Sequence, residues 1–212
     1  AISAKKDFKN AVDKMILDVQ ESGIEVHLNT VVTKEMLEEI KPDALIVAIG
    51  SSPFVLPIEG SEKAIVAHDV LSEKVEVPGN HVVIIGGGLV GFETAEFLAA
   101  RQKKVTVLEM KEKALQDLGP LRQITAQFAM AQMPITIETS ANVERIDDHV
   151  VVASGKEYPY DSVIMAVGSK ANDTSMYADL DIPTYIVGDC KKAGIALDAF
   201  KDAYHAVLEI NK

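Results

Sequence analysis

Three glycines and one acid stand in a spacing suited to gripping a dinucleotide. Gly86, Gly88 and Gly91 fall in the run Gly86-Gly87-Gly88-Leu89-Val90-Gly91, which fits G-x-G-x-x-G. Such a turn works through backbone groups. Where it opens a helix, the first amides, here those of Leu89, Val90 and Gly91, lack helical partners and carry partial positive charge, which suits a pyrophosphate. Gly86 is expected to make the tight turn and Gly88 to let the phosphates approach the backbone. Gly91 is expected to let helix and strand pack closely. Glu109 lies at the end of the following apolar segment. Its carboxylate can accept both hydroxyls of an adenosine ribose and would repel a 2′-phosphate. The site is therefore expected to take NADH in preference to NADPH, with Lys111 and Lys113 close enough to soften that preference. Glu93 and Glu96 fall on the first turns of the helix. They read either as acids complementing the helix dipole or, for Glu93, as a neighbour of the nicotinamide.

A glycine motif has meaning only between the right elements. His81–Ile85 reads as a strand, Leu89 to about Arg101 as a helix, and Val105–Glu109 as a second strand, which together make one βαβ unit. A helix is expected near 120–131, with Pro120 in its first turn and Leu121, Ile124 and Phe128 facing inward, followed by a strand at Ile135–Glu138. Val143–Ile146, Val150–Ala153 and Glu157–Tyr160 are short and separated by Asp147-Asp148 and Ser154-Gly155. They read as a three-stranded antiparallel meander. Ser162–Val167 is a further strand, closed by Gly168.

Upstream, residues 7–22 have helical apolar spacing, with Gly23 as the terminating residue. Ile24–Leu28 alternates like a strand, and 33–40 reads as a helix capped by Thr33. Ala44–Ile49 is apolar without alternation, the pattern of a parallel strand buried on both faces. Its sequence ALIVAIGS is echoed by VIMAVGS at 163–169, which suggests two similar nucleotide-fold modules. Tyr185–Val187 is a last strand, ending at Gly188-Asp189, and a helix follows from about Ile195 to Ile210. The expected fold class is α/β: a Rossmann-like domain at 79–170 containing the meander, inserted in a partial second α/β domain made by 1–78 and 171–212. The crossovers near 50 and 168 would act as the hinge.

Composition excludes several alternatives. The 212 residues carry a net charge of −11 and lack the clustered Lys and Arg that nucleic acid or an anionic membrane requires. A single cysteine, Cys190, rules out an internal disulfide, a two-cysteine redox pair and a four-cysteine zinc or iron–sulfur site within this sequence. Cys190 reads as a packing residue. The five histidines show no metal-ligand spacing, and no apolar run approaches a membrane span. A cytoplasmic, reducing setting is expected. No Tyr-x-x-x-Lys pair is present, which disfavours a self-contained short-chain dehydrogenase.

VVIIGGGLVGFETAEFLA followed by VTVLEM resembles the pyridine-nucleotide module of flavoproteins that hold two dinucleotides. In particular it is similar to the C-terminal half of the 2,4-dienoyl-CoA reductase and 2-enoate reductase group, the old yellow enzyme-like NADH:flavin oxidoreductases. KPDALIVAIGSSP resembles that group's first crossover, with Ile49 where Thr is usual. VIMAVGSKAN, with Gly168, resembles the return crossover, and YIVGDCKKAGIALDAFKDAYHAV resembles its terminal segment. The resemblance implies that the flanking segments are FAD-type, that Gly188 and Asp189 face the flavin, and that Asp189 hydrogen-bonds the FAD ribitol. It implies NADH in this chain, FAD in the full protein, and FMN and an iron–sulfur cluster on a further part. Hydride would pass from NADH to FAD and on to FMN for reduction of an activated C=C bond. The group's earlier G-x-G-x-x-G, FMN barrel and cluster cysteines do not occur here. The chain is thus expected to be an excised C-terminal fragment or a split subunit. Its partner would be the N-terminal FMN barrel and FAD-binding segment, in the same polypeptide or a separate one. No residue is assigned a catalytic or metal-binding role. The alternative is an isolated, non-catalytic NADH-binding module.

Overall fold

The computed structural model describes residues 6–116 and 118–212. The elements are α1 (Lys6–Glu21), α2 (Lys34–Ile40), β1 (Leu45–Val47), β2 (Ser51–Pro53), β3 (Ile65–Val66) and α3 (Ala67–Leu71). Next come β4 (His81–Ile85), α4 (Leu89–Ala99), β5 (Lys104–Leu108), α5 (Pro120–Ala131) and β6 (Ile135–Glu138). β7 (Val143–Ile146), β8 (Val150–Ala153) and β9 (Lys156–Pro159) follow, then β10 (Ser162–Met165), β11 (Ser169–Ala171), β12 (Thr184–Ile186) and α6 (Ala196–Ile210). The chain forms two compact units. One spans Pro53–Gly168; the other joins the segment ending at Ser52 to Ser169–Lys212.

The Pro53–Gly168 unit is built on a parallel sheet in the order β3-β10-β4-β5-β6. Its central strands are β-branched runs with no polar alternation, and both of their faces are covered. On one face Val82, Ile84, Val105 and Val107 pack with Ala67 and Val70 of α3 and Ala95 and Leu98 of α4. On the other, Val83, Ile85 and Leu108 pack with Ile146, Val151, Ala153 and Tyr160 of the meander. Each Val, Ile or Leu side chain among them, fully buried, contributes about 1.5–3 kcal/mol. The meander β7-β8-β9 is antiparallel, as its sequence implies. A third cluster, Phe92, Leu115 and Met130, seats α5 and the loop after β5 against β6.

The second unit is smaller. β1 pairs in parallel with β12, Leu45 opposite Thr184 and Val47 opposite Ile186. Leu37, Val47, Tyr177 and Cys190 form its buried cluster. α2 is capped by Thr33, whose Oγ1 accepts the Met36 amide at 3.4 Å. Cys190 is buried, with its Sγ within 3.3 Å of the Val47 carbonyl and 3.2 Å of that of Val187, which suits a packing role.

Several expectations require correction. The compact unit holding the glycine turn begins at Pro53 and ends at Gly168, not at 79 and 170. β3 pairs with β10 and α3 packs on α4, so 53–78 belongs to that sheet rather than to the flanking module. Ile24–Leu28 forms no strand; Ile24, Val26 and Leu28 are exposed. The run 44–49 yields a three-residue strand only, and Ile46 keeps 41% of its surface, because the β1–β12 ladder is covered on one face alone among the described residues. α5 is turned the other way round. Leu121 and Phe128 are 75% and 71% exposed, while Ala126 and Met130 face the sheet. The small Ala126 permits close approach to β6, and this outweighs the larger stripe.

Asp161, just before β10, fixes the entry to β4. Its Oδ2 accepts the amides of Asn80 at 2.7 Å and His81 at 2.8 Å. These bonds, that to His81 first, hold its carboxyl below the ordinary carboxylate range. A depressed folded-state pKa contributes stability that is present above the unfolded value and lost as pH falls through the folded one. Asp161→Asn is therefore expected to lower the denaturation midpoint at pH 7. The gap from the parent should close below about pH 4. Urea denaturation at pH 7 and pH 3 measures this, and an equal gap at both values would refute it.

Candidate functional site

At the C-terminal edge of β4 the chain turns through Gly86 with φ +109°. A Cβ added there would lie 2.4 Å from the Ala166 carbonyl oxygen, so only glycine fits beside the end of β10. A Cβ on Gly91 would lie 2.0 Å from the Gly86 carbonyl oxygen. That contact presses the first turn of α4 against the strand. Gly88 behaves differently. A Cβ there would meet nothing within 4 Å. Gly88 is the N-cap of α4 and makes no side-chain cap bond. Its open side faces neither core nor neighbour, which leaves the helix N-terminus accessible to an anion.

Glu109 follows β5 and is only 7% exposed. Its Oε2 accepts the Gly87 amide at 2.7 Å and its Oε1 accepts the Lys111 amide at 2.8 Å. The acid and the glycine turn, separated in sequence by a whole helix, thus meet directly. β4 and β5 set that distance by their parallel register, with Ile85 opposite Leu108. The gathered residues fit NAD(H). The unfilled space beside Gly88 and the α4 amides of Leu89, Val90 and Gly91 would hold the pyrophosphate. The buried Glu109 would take the ribose. Glu93 lies half-buried on the second turn of α4. Gly168 closes the unit, exposed at φ +100°, and its carbonyl accepts the Phe54 amide at 2.9 Å.

Gly188 and Asp189 lie in the second unit. Asp189 accepts the Ser51 hydroxyl at 3.0 Å through Oδ2 and the Gly194 amide at 3.3 Å through Oδ1. The Gly188 amide donates to Asp202 Oδ2 at 3.2 Å. The Lys191 ammonium, at 2.7 Å, holds the Asp202 carboxyl below its ordinary range. Neither β1 nor β12 enters a helix through a G-x-G-x-x-G turn. A flavin dinucleotide's pyrophosphate therefore finds no cradle among the described residues of this unit. No cluster of potential metal ligands occurs among the described residues.

Sequence reasoning overlooked Ser51, which meets Asp189 across more than a hundred positions, and Gly87 and Leu115 beside Glu109. The triplet of glycines at 86–88 was a visible signal for Gly87. Nothing in the sequence marks Leu115.

A family model described as pyridine nucleotide-disulphide oxidoreductase matches residues 3–192. The cinnamate reductase of Clostridium sporogenes is 34% identical over 202 residues, covering 91% of this chain and 30% of that protein. The NADH oxidase of Thermoanaerobacter brockii is 30% identical over 211 residues, covering 93% and 32% respectively. Among solved structures, a 2-naphthoyl-CoA reductase bound to 2-naphthoyl-CoA superposes with a TM-score of 0.83 at 29% identity, over 93% of this chain and 31% of that one. The chain spans about a third of the length of the curated relatives it matches.

The three glycines should separate folding from binding. Gly88→Ala fills open space and is expected to cost about 1 kcal/mol or less as a poorer cap, yet to weaken NADH binding at least about tenfold, a loss of about 1.4 kcal/mol. Gly91→Ala must move backbone and is expected to cost about 2–4 kcal/mol of stability. Melting curves and NADH fluorescence titrations of both variants check this. Equal destabilisation, or undiminished binding by Gly88→Ala, would contradict it.

Proposed function

Because the chain belongs to the pyridine nucleotide-disulphide oxidoreductase family, we propose that it is the NADH-binding, electron-delivering part of a flavin-dependent reductase. The observation that carries the proposal is the meeting of Glu109 with the Gly87 amide beside the open Gly88. NADH supplies the hydride and a flavin accepts it. This chain's residues bind and orient. The α4 amides hold the pyrophosphate, Glu109 holds the adenosine ribose, and Glu93 and Gly168 line the nicotinamide end.

The finer reading is a member of the 2,4-dienoyl-CoA reductase and 2-enoate reductase group, acting in the cytoplasm. There, electrons pass from FAD to FMN and reduce an activated C=C bond, with an iron–sulfur cluster on the FMN-bearing part. Similarity to proteins named for reduction of cinnamate and 2-naphthoyl-CoA supports this, since both compounds carry unsaturation conjugated to an acyl group. In this reading the flavin's pyrophosphate is held by a strand–turn–helix segment accompanying the FMN barrel, while Asp189 and Gly188 face its ribitol. Exposed apolar side chains support such a partner. Phe8, Ile16 and Leu17 on α1, and Phe200, Tyr204 and Val207 on α6, are uncovered. Among the described residues no helix is long and apolar enough to cross a membrane.

A second reading, an isolated NADH-binding module without turnover, is favoured by the lack of a flavin pyrophosphate cradle among the described residues of the second unit. An absorbance spectrum and an NADH fluorescence titration of the 212-residue chain divide the outcomes. The expected result is no flavin band, with saturable NADH binding that Glu109→Ala weakens at least about tenfold, or about 1.4 kcal/mol. A flavin band bleached by NADH would place the flavin site within this chain and overturn the requirement for a separate flavin segment. Absence of NADH binding would sink the proposal.

A further inference from the structure

Gly87 is the unassigned middle residue of the glycine triplet, since the dinucleotide fingerprint leaves that position free. Here it is not free. A Cβ on Gly87 would lie 2.9 Å from Glu109 Cβ, 3.0 Å from Glu109 Oε2 and 3.3 Å from Ala114 Cβ. The same residue is tied on both sides. Its N–H donates to Glu109 Oε2 at 2.7 Å, and its carbonyl accepts the Leu115 amide at 3.0 Å. The second carboxylate oxygen accepts the Lys111 amide at 2.8 Å.

Leu115 closes the ring at a backbone cost. Its φ is +57°, the left-handed region that a leucine enters only when its surroundings force it there. The surroundings are specific: Leu115 is 2% exposed and packs with Phe92 and Met130. Tertiary packing, not local preference, aims its amide at Gly87.

Resting on the NADH reading above, we propose that Gly87 and Leu115 are positioning residues that immobilise the Glu109 carboxylate and so set the preference for NADH over NADPH. A carboxylate oxygen that accepts one amide retains a lone pair for a ribose hydroxyl. Held by an amide on each oxygen, the acid cannot rotate out of the site. An incoming 2′-phosphate meets a fixed negative charge. Lys111 and Lys113, both exposed, could pair with that phosphate only if the acid swung aside. The clamp, rather than the mere presence of an acid, then determines selectivity.

The test measures NADH and NADPH affinities by nicotinamide fluorescence on the full 212-residue chain. The panel is the parent, Gly87→Ala, Leu115→Ala, Leu115→Met, Glu109→Gln and the double variant Gly87→Ala/Glu109→Gln, each checked for folding by circular dichroism. The NADH-to-NADPH affinity ratio is expected to fall at least about tenfold in Gly87→Ala and Leu115→Ala, through weaker NADH and stronger NADPH binding. Leu115→Met should keep the ratio within about threefold. In the Glu109→Gln background, adding Gly87→Ala should change the ratio less than about twofold, since both act through one side chain. Equal loss of both nucleotides in Gly87→Ala and Leu115→Ala would overturn the proposal, as would an undiminished ratio change in the Glu109→Gln background. If Gly87→Ala does not fold, the two Leu115 variants decide alone. A parent that binds neither nucleotide would fail differently, removing the NADH reading itself.

Discussion

Everything at the candidate site depends on a want of room. β4, β10 and the first turn of α4 converge so closely that the Ala166 carbonyl oxygen would stand 2.4 Å from a side chain on Gly86, and the Gly86 carbonyl oxygen 2.0 Å from one on Gly91. Backbone lies against backbone there. That closeness brings the helix N-terminus to the edge of the sheet with its amides turned outward. Distance governs electrostatic benefit, and helix-terminal partial charges act only within the first turn. Any side chain at Gly86 or Gly91 would set the amides back from a bound phosphate and open a gap in the core below. The same contact therefore packs strand against helix and sets where the first amides of α4 stand.

The sheet makes this convergence possible. Its central strands can be apolar on both faces because α3 and α4 cover one side and the meander the other. A sheet covered in this way keeps its register, and register is what carries Glu109 to the glycine turn. Leu108 lies opposite Ile85. Glu109, the residue after β5, is thereby brought to Gly87, two residues past the end of β4. The loop following β5 adds a second constraint by folding back, so that Leu115 is buried against Phe92 on the very helix whose N-terminus the turn creates.

What could be read from sequence divides by the range of the forces involved. The strand–turn–helix at 81–99, its acid and the meander were legible because each is specified locally, by β-branched runs, glycine spacing and tight-turn residues. The extent of the unit was not. β3 is two residues long and owes its place to pairing with β10, nearly a hundred positions on. The facing of α5 failed for a related reason. The Leu121, Ile124 and Phe128 stripe has the stronger periodicity, yet Ala126 and Met130 fit the gap over β6, and fit decides which face turns inward. Ile24–Leu28 alternates correctly and forms no strand, because alternation specifies a strand only when a neighbouring edge receives it. Leu115 left no trace at all, since a left-handed leucine is a property of its surroundings.

The two units differ in how far they satisfy their own surfaces, and the difference bears on function. The Pro53–Gly168 unit buries both faces of its sheet and assembles its glycine turn, its helix N-terminus and its acid from its own residues. The groups proposed to grip a nucleotide therefore all belong to one unit. The other unit rests on a two-stranded ladder and a small cluster around Leu37, Val47, Tyr177 and Cys190. Asp189 is nevertheless ordered there by a hydroxyl and an amide from Ser51 and Gly194. Its carboxylate is thereby held in one orientation. The glycine turn, the helix N-terminus and Glu109 thus share one unit, whereas Asp189 and its two donors lie in the other.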